Sequence, residues 1–202
     1  EHGPIEALFT IDEETGMTGV NALQPGFIEG KYLLNMDSEE DGAFYVGCCG
    51  GQDTVGYMPL CYKKIEKKKY QAYELMITGL KGGHSGLDIH QGRGNAIKLL
   101  ALLLLRLEGI KYKVADISGG SLRNAIPREA EVTLLISKED KSKVKEIIKG
   151  FVEDTLLELK TTDGGVDVKF EKKDETPKKA FPKKLVKKII NFGTWYNGSS
   201  AQ

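Results

Sequence analysis

The sequence predicts an α/β chain in two parts: a short leading segment of buried-type strands, then an α+β domain with an antiparallel sheet and two helices. Three observations predict this. Two short apolar runs, residues 5–11 and 32–36, each end in a cluster of acids, as strands do when their carboxyl ends carry a site at the edge of an α/β sheet. From Tyr70 onward the patterns follow the order β-α-β-β-α-β, the ferredoxin-like arrangement. The composition is that of a globular chain, 40% hydrophobic and 29% charged over 202 residues.

Each element has its own justification. Residues 5–11, Ile-Glu-Ala-Leu-Phe-Thr-Ile, form a short apolar run that leads into Asp12-Glu13-Glu14-Thr15-Gly16. Residues 21–24 read as a helical turn closed by Pro25-Gly26. The second run ends in Asp37-Ser38-Glu39-Glu40-Asp41. After Gly50-Gly51 the texture changes. Residues 54–63 and 70–80 are rich in β-branched and aromatic side chains and read as strands, joined by the basic turn at Lys67-Lys68-Lys69. That turn is a solvated one, which also discourages edge-to-edge pairing.

Residues 82–86, Gly-Gly-His-Ser-Gly, read as a loop. Residues 95–107 are an apolar helix with Asn95 near its cap and Gly109 as its stop. Its stretch 99–105 is apolar nearly all round, so one side is expected to meet the sheet, and the remainder is open to a second subunit as well as to plain core. Residues 111–118 and 130–136 are strands, the second alternating enough to be half buried. Residues 141–160 are an amphipathic helix, with Val144, Ile147, Ile148, Phe151, Val152 and Leu156 at helical spacing. Residues 166–172 close the sheet, and Pro177 and Pro182 mark a linker. A further helix is expected from residue 183, with little to pack on.

Charge and cysteine content exclude several classes. The 29 Lys and Arg balance 29 Asp and Glu, which argues against a nucleic-acid surface built on a basic excess. No apolar run approaches the roughly 18–20 residues that span a bilayer, so no membrane partner is expected. Cys48, Cys49 and Cys61 form neither a disulfide framework nor a CxxC pair, which points to a reducing, cytoplasmic compartment.

Glu13 and Glu14 are the sharpest chemical feature. Neighbouring residues on a strand point to opposite faces, so the two carboxylates share a site only where the backbone bends, and Gly16 would permit that. One carboxylate could then ligate a metal while the other takes a proton from metal-bound water. Asp37 could add a further oxygen ligand. The plainer reading of all three is an exposed acidic loop. His84 lies among glycines, which let a loop approach a ligand closely, and its imidazole could donate to a developing oxyanion. The plainer reading is a turn histidine.

Ser85 beside it is not read as a nucleophile, because no G-x-S-x-G elbow is present. His90 reads as structural or exposed. Gly92-Arg93-Gly94-Asn95 lacks the rest of any phosphate-binding fingerprint. Asn124 can both donate and accept, and Arg128 can fork to a carboxylate, so the loop 121–129 is open to substrate contact as well as to a plain structural role.

Taken together, Thr10-Ile11-Asp12-Glu13-Glu14-Thr15-Gly16-Met17, Asn35-Met36-Asp37-Ser38-Glu39-Glu40, Gly79-Leu80-Lys81-Gly82-Gly83-His84-Ser85-Gly86 and the stretch from Gly119 to Glu129 resemble the aminoacyl-histidine dipeptidases. These are Xaa-His or beta-alanyl-histidine dipeptidases within a clan of co-catalytic zinc peptidases and aminoacylases. The resemblance covers residues 3–176 and keeps the family's order and spacing.

It implies part of an α/β zinc-binding catalytic domain at residues 1–50, a lid and dimerisation domain at 51–176, and a return segment toward the catalytic domain at 177–202. It implies Glu13 as general base, Glu14 and Asp37 as ligands of two zinc ions (replaceable by manganese or cobalt), His84 as the lid histidine that stabilises the oxyanion, and Asn124 as a substrate contact. It implies a small dipeptide substrate and a homodimer formed through the lid. The family's other metal ligands, two histidines and a bridging aspartate, match nothing in the chain, which is expected to be an internal fragment and inactive alone. An aminoacylase or deacylase of the same clan, or a non-catalytic dimerisation module, are the competing readings.

Overall fold

The computed structural model describes residues 2–37, 40–47, 52 and 54–195. The chain divides into two compact units, Glu1–Val55 and Gly56–Gln202.

The first unit holds two single helical turns, α1 (Glu13–Gly16) and α2 (Thr18–Asn21), and no strand among its described residues. The strands expected at 5–11 and 32–36 are not formed. Their apolar side chains are open to solvent: Phe9 is 90% exposed, Tyr32 93% and Met36 92%. A buried-type strand needs a hydrogen-bonding neighbour on each edge and cover on both faces, and the described residues of this unit supply neither. The Glu6 carboxylate instead ties the start of the unit to residues 29 and 30, accepting the N–H groups of Glu29 at 3.0 Å and Gly30 at 2.7 Å. Cys48 and Cys49 lie outside the described residues, and Cys61 is an exposed free thiol.

The second unit begins with an irregular stretch. Residues 54–62 form no strand, contrary to the expectation, and only β1 (Lys63–Lys64) pairs, antiparallel to β6 (Lys179–Ala180). The lysines 67–69 form a 3-10 turn. The main sheet follows: β2 (Gln71–Thr78), β3 (Tyr112–Gly119), β4 (Ala130–Ile136) and β5 (Asp167–Lys172), in the order β3-β4-β2-β5 with every pair antiparallel. Two helices connect them, α3 (Ala96–Arg106) and α4 (Lys141–Glu158). This is the ferredoxin-like arrangement that the order of elements predicts.

Period-two alternation explains the core. Tyr73, Leu75 and Ile77 of β2 and Val132, Leu134 and Ile136 of β4 are buried in one cluster with Leu100, Leu103 and Leu104 of α3 and Val144, Ile148 and Phe151 of α4. Burying each large side chain is worth about 1.5–3 kcal/mol, so this cluster dominates the unit's stability. The opposite face carries a smaller cluster in which Ala72, Leu135 and Ala115 meet Ala180 of β6 and Ile65, just after β1. A bulge in β3 between Val114 and Asp116 accompanies a bond from the Phe181 N–H to the Val114 carbonyl at 2.7 Å.

The last helix, α5 (Lys183–Trp195), corrects an expectation. It packs on α3, and its Leu185, Val186 and Ile190 join the main core. The face of α3 turned away from the sheet is thus covered largely within the unit. Ala101 is buried against α5, and Leu105 remains about half exposed. No described helix is long and apolar enough to cross a membrane.

Candidate functional site

Sequence-predicted site residues occur in both units. In the first, the bend expected at the two glutamates exists, but glycine does not make it. Asp12 and Met17 take left-handed backbone angles, φ 59° and 55°, on either side of α1. Such angles cost a non-glycine residue roughly 1–2 kcal/mol. Local bonds compensate here: the Thr18 hydroxyl donates to the Asp12 carboxylate, and the Gly19 N–H donates to the Ile11 carbonyl at 3.1 Å. Gly19 is required, since a β-carbon there would stand 2.7 Å from the Ile11 nitrogen. Glu13 and Glu14 therefore leave the chain in the first turn of a helix, both exposed. Asp37 is exposed too, its N–H accepted by Asn35 Oδ1 at 3.1 Å. Among the described residues no group of three or more His, Cys, Asp or Glu is placed to hold a metal ion. Glu14 and Asp37 are two donors where zinc takes at least three from protein, so the described residues do not make up a zinc set.

In the second unit, the loop after β2 and the loop after β3 enclose an open groove of about 840 Å³, lined among others by Lys81, His84, Asn124, Arg128 and Glu131. The two loops are joined as a short antiparallel bridge between His84 and Ala125. The Ser85 N–H donates to the Asn124 carbonyl, and the Ile126 N–H to the Gly83 carbonyl, both at 2.8 Å. The second loop is also tied to α3 by the Ala96 N–H on the Pro127 carbonyl at 2.8 Å. Gly83, at φ 141°, has to be glycine: a β-carbon there would meet Arg93 Nη1 at 2.3 Å and Asp88 Oδ2 at 2.6 Å.

His84 is held by its own loop. The N–H groups of Gly86 and Leu87 both donate to its Nδ1, each at 3.1 Å. A nitrogen that accepts two backbone donors carries no proton, so the neutral ring is assigned the Nε2–H tautomer. The exposed ring thus offers a donor at Nε2, the atom an oxyanion stabiliser needs. With Nδ1 occupied, His84 is not available as a base to Ser85 through that atom, which agrees with the rejection of Ser85 as a nucleophile.

Asp88 and Arg93 complete the loop. The Asp88 carboxylate accepts the His84 N–H at 2.8 Å and the Gln91 side chain at 2.7 Å, and pairs with Arg93 at 3.3 Å. Arg93 Nη1 donates to the Gly82 carbonyl at 2.6 Å. The Gly92-Arg93-Gly94-Asn95 stretch is a loop clasp followed by a helix cap, with Asn95 Oδ1 accepting the Lys98 N–H at 3.2 Å. His90 lies exposed in the 3-10 turn Ile89–Gln91.

Sequence reasoning missed Asp163. Its carboxylate is fully buried and accepts the N–H groups of Lys81 and Gly94 at 2.6 Å each. In the sequence it is one acid before Gly164-Gly165, indistinguishable from an ordinary turn residue.

The ferredoxin-like sheet, with helices on one face and a histidine-bearing groove at its end, coincides with a region similar to the peptidase dimerisation domain. The sequence profile of that domain matches residues 75–159, from within β2 to the end of α4. Over those residues the chain is similar to a domain carried by peptidases. It is similar to the crystal structure of aminoacylhistidine dipeptidase from Vibrio alginolyticus, with a TM-score of 0.74 and 34% identity, covering 92% of this chain and 38% of that one. It is also 40% identical over 153 residues to the cytosol non-specific dipeptidase of Escherichia coli (strain K12), covering 75% of this chain and 31% of that protein. The chain thus spans about a third of the length of the relatives it matches.

Proposed function

We propose that the full-length protein to which these residues belong is a metal-dependent dipeptidase that hydrolyses the peptide bond of Xaa-His substrates. The single observation that carries the reading is the likeness to aminoacylhistidine dipeptidase over 92% of the chain. In this reading residues 1–50 are part of the catalytic domain, 51–176 the lid through which a homodimer forms, and 177–202 the return segment. Glu13 acts as general base, and Glu14 and Asp37 ligate the two metals, read as zinc ions that manganese or cobalt can replace. Because two carboxylates do not complete such a centre, the remaining ligands come from outside these residues. The sparse cysteine content supports a reducing, cytoplasmic setting.

The geometry of the groove supports a part for the lid in the chemistry. The Nε2–H of His84 donates to the oxygen that gains charge when the scissile carbonyl becomes tetrahedral. Asn124, on the facing loop, contacts the substrate. Arg128 offers a guanidinium on the same groove, suited to a substrate carboxylate.

The test is a substrate panel on the full-length protein, with bound metal measured in parallel. The expected result is cleavage of Xaa-His dipeptides in preference to N-acyl amino acids. His84→Ala is expected to lower turnover by about 10²–10³ with metal content unchanged. Preference for N-acyl amino acids would favour an aminoacylase, and loss of metal in the His84 variant would remove its proposed role. The 202-residue chain alone is expected to show no turnover above a Glu13→Gln control.

A further inference from the structure

We propose that Asp163 is the positioning residue for His84, and that the turn between α4 and β5 is the foundation of the histidine loop. The carboxylate is fully buried, and its two oxygens take one backbone N–H each, from Lys81 and Gly94. Those two amides mark the two feet of the loop that carries His84, which leaves the core at residue 81 and re-enters it at residue 94, just before α3. A single side chain therefore staples both ends of the loop.

Independent contacts converge on the same turn. A β-carbon at Gly79 would stand 1.9 Å from the Gly165 carbonyl oxygen, so the end of β2 lies directly on the turn backbone. A β-carbon at Gly94 would strike Leu80 Cδ2 at 2.7 Å and Leu159 Cδ1 at 2.8 Å, so the other foot is wedged between the two sides of the same joint. Inside the loop, Arg93 reaches back to the Gly82 carbonyl and Asp88 takes the His84 N–H. With both feet fixed and the interior cross-braced, the Gly86 and Leu87 amides are held where they engage Nδ1 and leave Nε2 as the donor.

The arrangement needs a carboxylate. An asparagine of the same shape offers one acceptor oxygen and turns an NH₂ toward the second amide. Asp163→Asn therefore releases one foot while preserving volume. The positioning claim concerns the His84 ring alone; its catalytic consequence rests on the hydrolase reading.

The test uses nitrogen-15 NMR of the 202-residue chain. In Asp163→Asn the sheet amides are expected to keep their shifts. The His84 ring nitrogens are expected to move from a fixed Nε2–H pattern toward a tautomer average, and exchange at Gly86 and Leu87 is expected to rise about tenfold or more, as befits loss of a charge-assisted bond. A folded variant with the wild-type His84 pattern and wild-type protection at Gly86 and Leu87 would overturn the proposal. Should the variant not fold, the wild type still decides: the Lys81 and Gly94 amides must exchange as slowly as those of β2, and rapid exchange at either refutes the staple. In the full-length enzyme, an active His84→Ala variant would defeat the hydrolase role of the ring while leaving the NMR result to stand on its own.

Discussion

Gly193 of α5 rests on Ala101 of α3 so closely that a β-carbon at residue 193 would stand 2.7 Å from the Ala101 Cβ. Two small residues let the helices meet nearly backbone to backbone, and this contact closes the side of α3 that faces away from the sheet. Gly193→Val inserts three carbons where none fits. Overpacking of this kind costs about 1–3 kcal/mol, more than the few tenths regained in helix propensity. For a chain of this length the melting temperature is expected to fall by roughly 3–10 °C, read by circular dichroism. An unchanged melting temperature would mean that α5 does not dock through this face.

The contact between Gly79 and Gly165 predicts a contrast between two glycines. Gly79 has φ 79° and no room for a β-carbon, whereas Gly92 has φ 63° and open space around it. Gly92→Ala therefore meets only the left-handed backbone penalty, about 1–2 kcal/mol. Gly79→Ala meets that penalty and a backbone collision that cannot be relieved by rotating a side chain. It is expected to destabilise at least about twice as much. Urea unfolding midpoints of the two variants measure the difference directly, and equal midpoints would count against the packing of β2 on the α4–β5 turn.

Alkaline pH provides a separate probe of the core. Tyr112 donates its hydroxyl to the Leu104 carbonyl at 3.1 Å. Burial, and secondarily the negative charge of Glu108, hold its phenol above the ordinary value of 10.0. The folded state therefore keeps a proton that the unfolded state releases first. The associated stability is fully present below pH 10 and is lost as pH rises through the raised folded value. Tyr112→Phe is expected to flatten the decline of stability above pH 10, measured by denaturant unfolding across pH 8–11. An unaltered slope would show that the phenol titrates freely in the fold.

The parts that could be read from the sequence share a physical property: their information is local. Alternation in 130–136 and helical spacing in 141–160 each report burial of one face, and the β-α-β-β-α-β order follows once those are placed. The glycines around His84 likewise announced a loop needing unusual angles, and Gly83 meets that need. What could not be read depends on distant partners. The runs at 5–11 and 32–36 carry the apolar content of strands, but content does not supply a neighbouring edge. The docking of α5 depends on a small residue at 193 meeting another at 101. The bend at Glu13 and Glu14 was expected from Gly16, yet Asp12 and Met17 take the left-handed angles, because the Thr18 hydroxyl and Gly19 amide reward them there. Asp163 gains its meaning only from the amides of residues 81 and 94.

Asn124 permits a separation of structural from functional roles. It braces the histidine loop through its backbone carbonyl, which accepts the Ser85 N–H at 2.8 Å, while its side chain is exposed on the groove. Asn124→Ala keeps the carbonyl and removes only the amide. The bridge between His84 and Ala125 should persist, and stability should change by no more than about 0.5 kcal/mol, as for other exposed sites. If the amide contacts substrate and the full-length protein is the proposed dipeptidase, its catalytic efficiency should fall by about ten- to a hundredfold, the usual effect of removing one or two hydrogen bonds to a ligand. Thermal unfolding of the 202-residue chain and kcat/KM of the full-length protein, measured on the same substitution, give the two readings. A large loss of stability would make Asn124 a structural residue, and unchanged kcat/KM would remove it from the site.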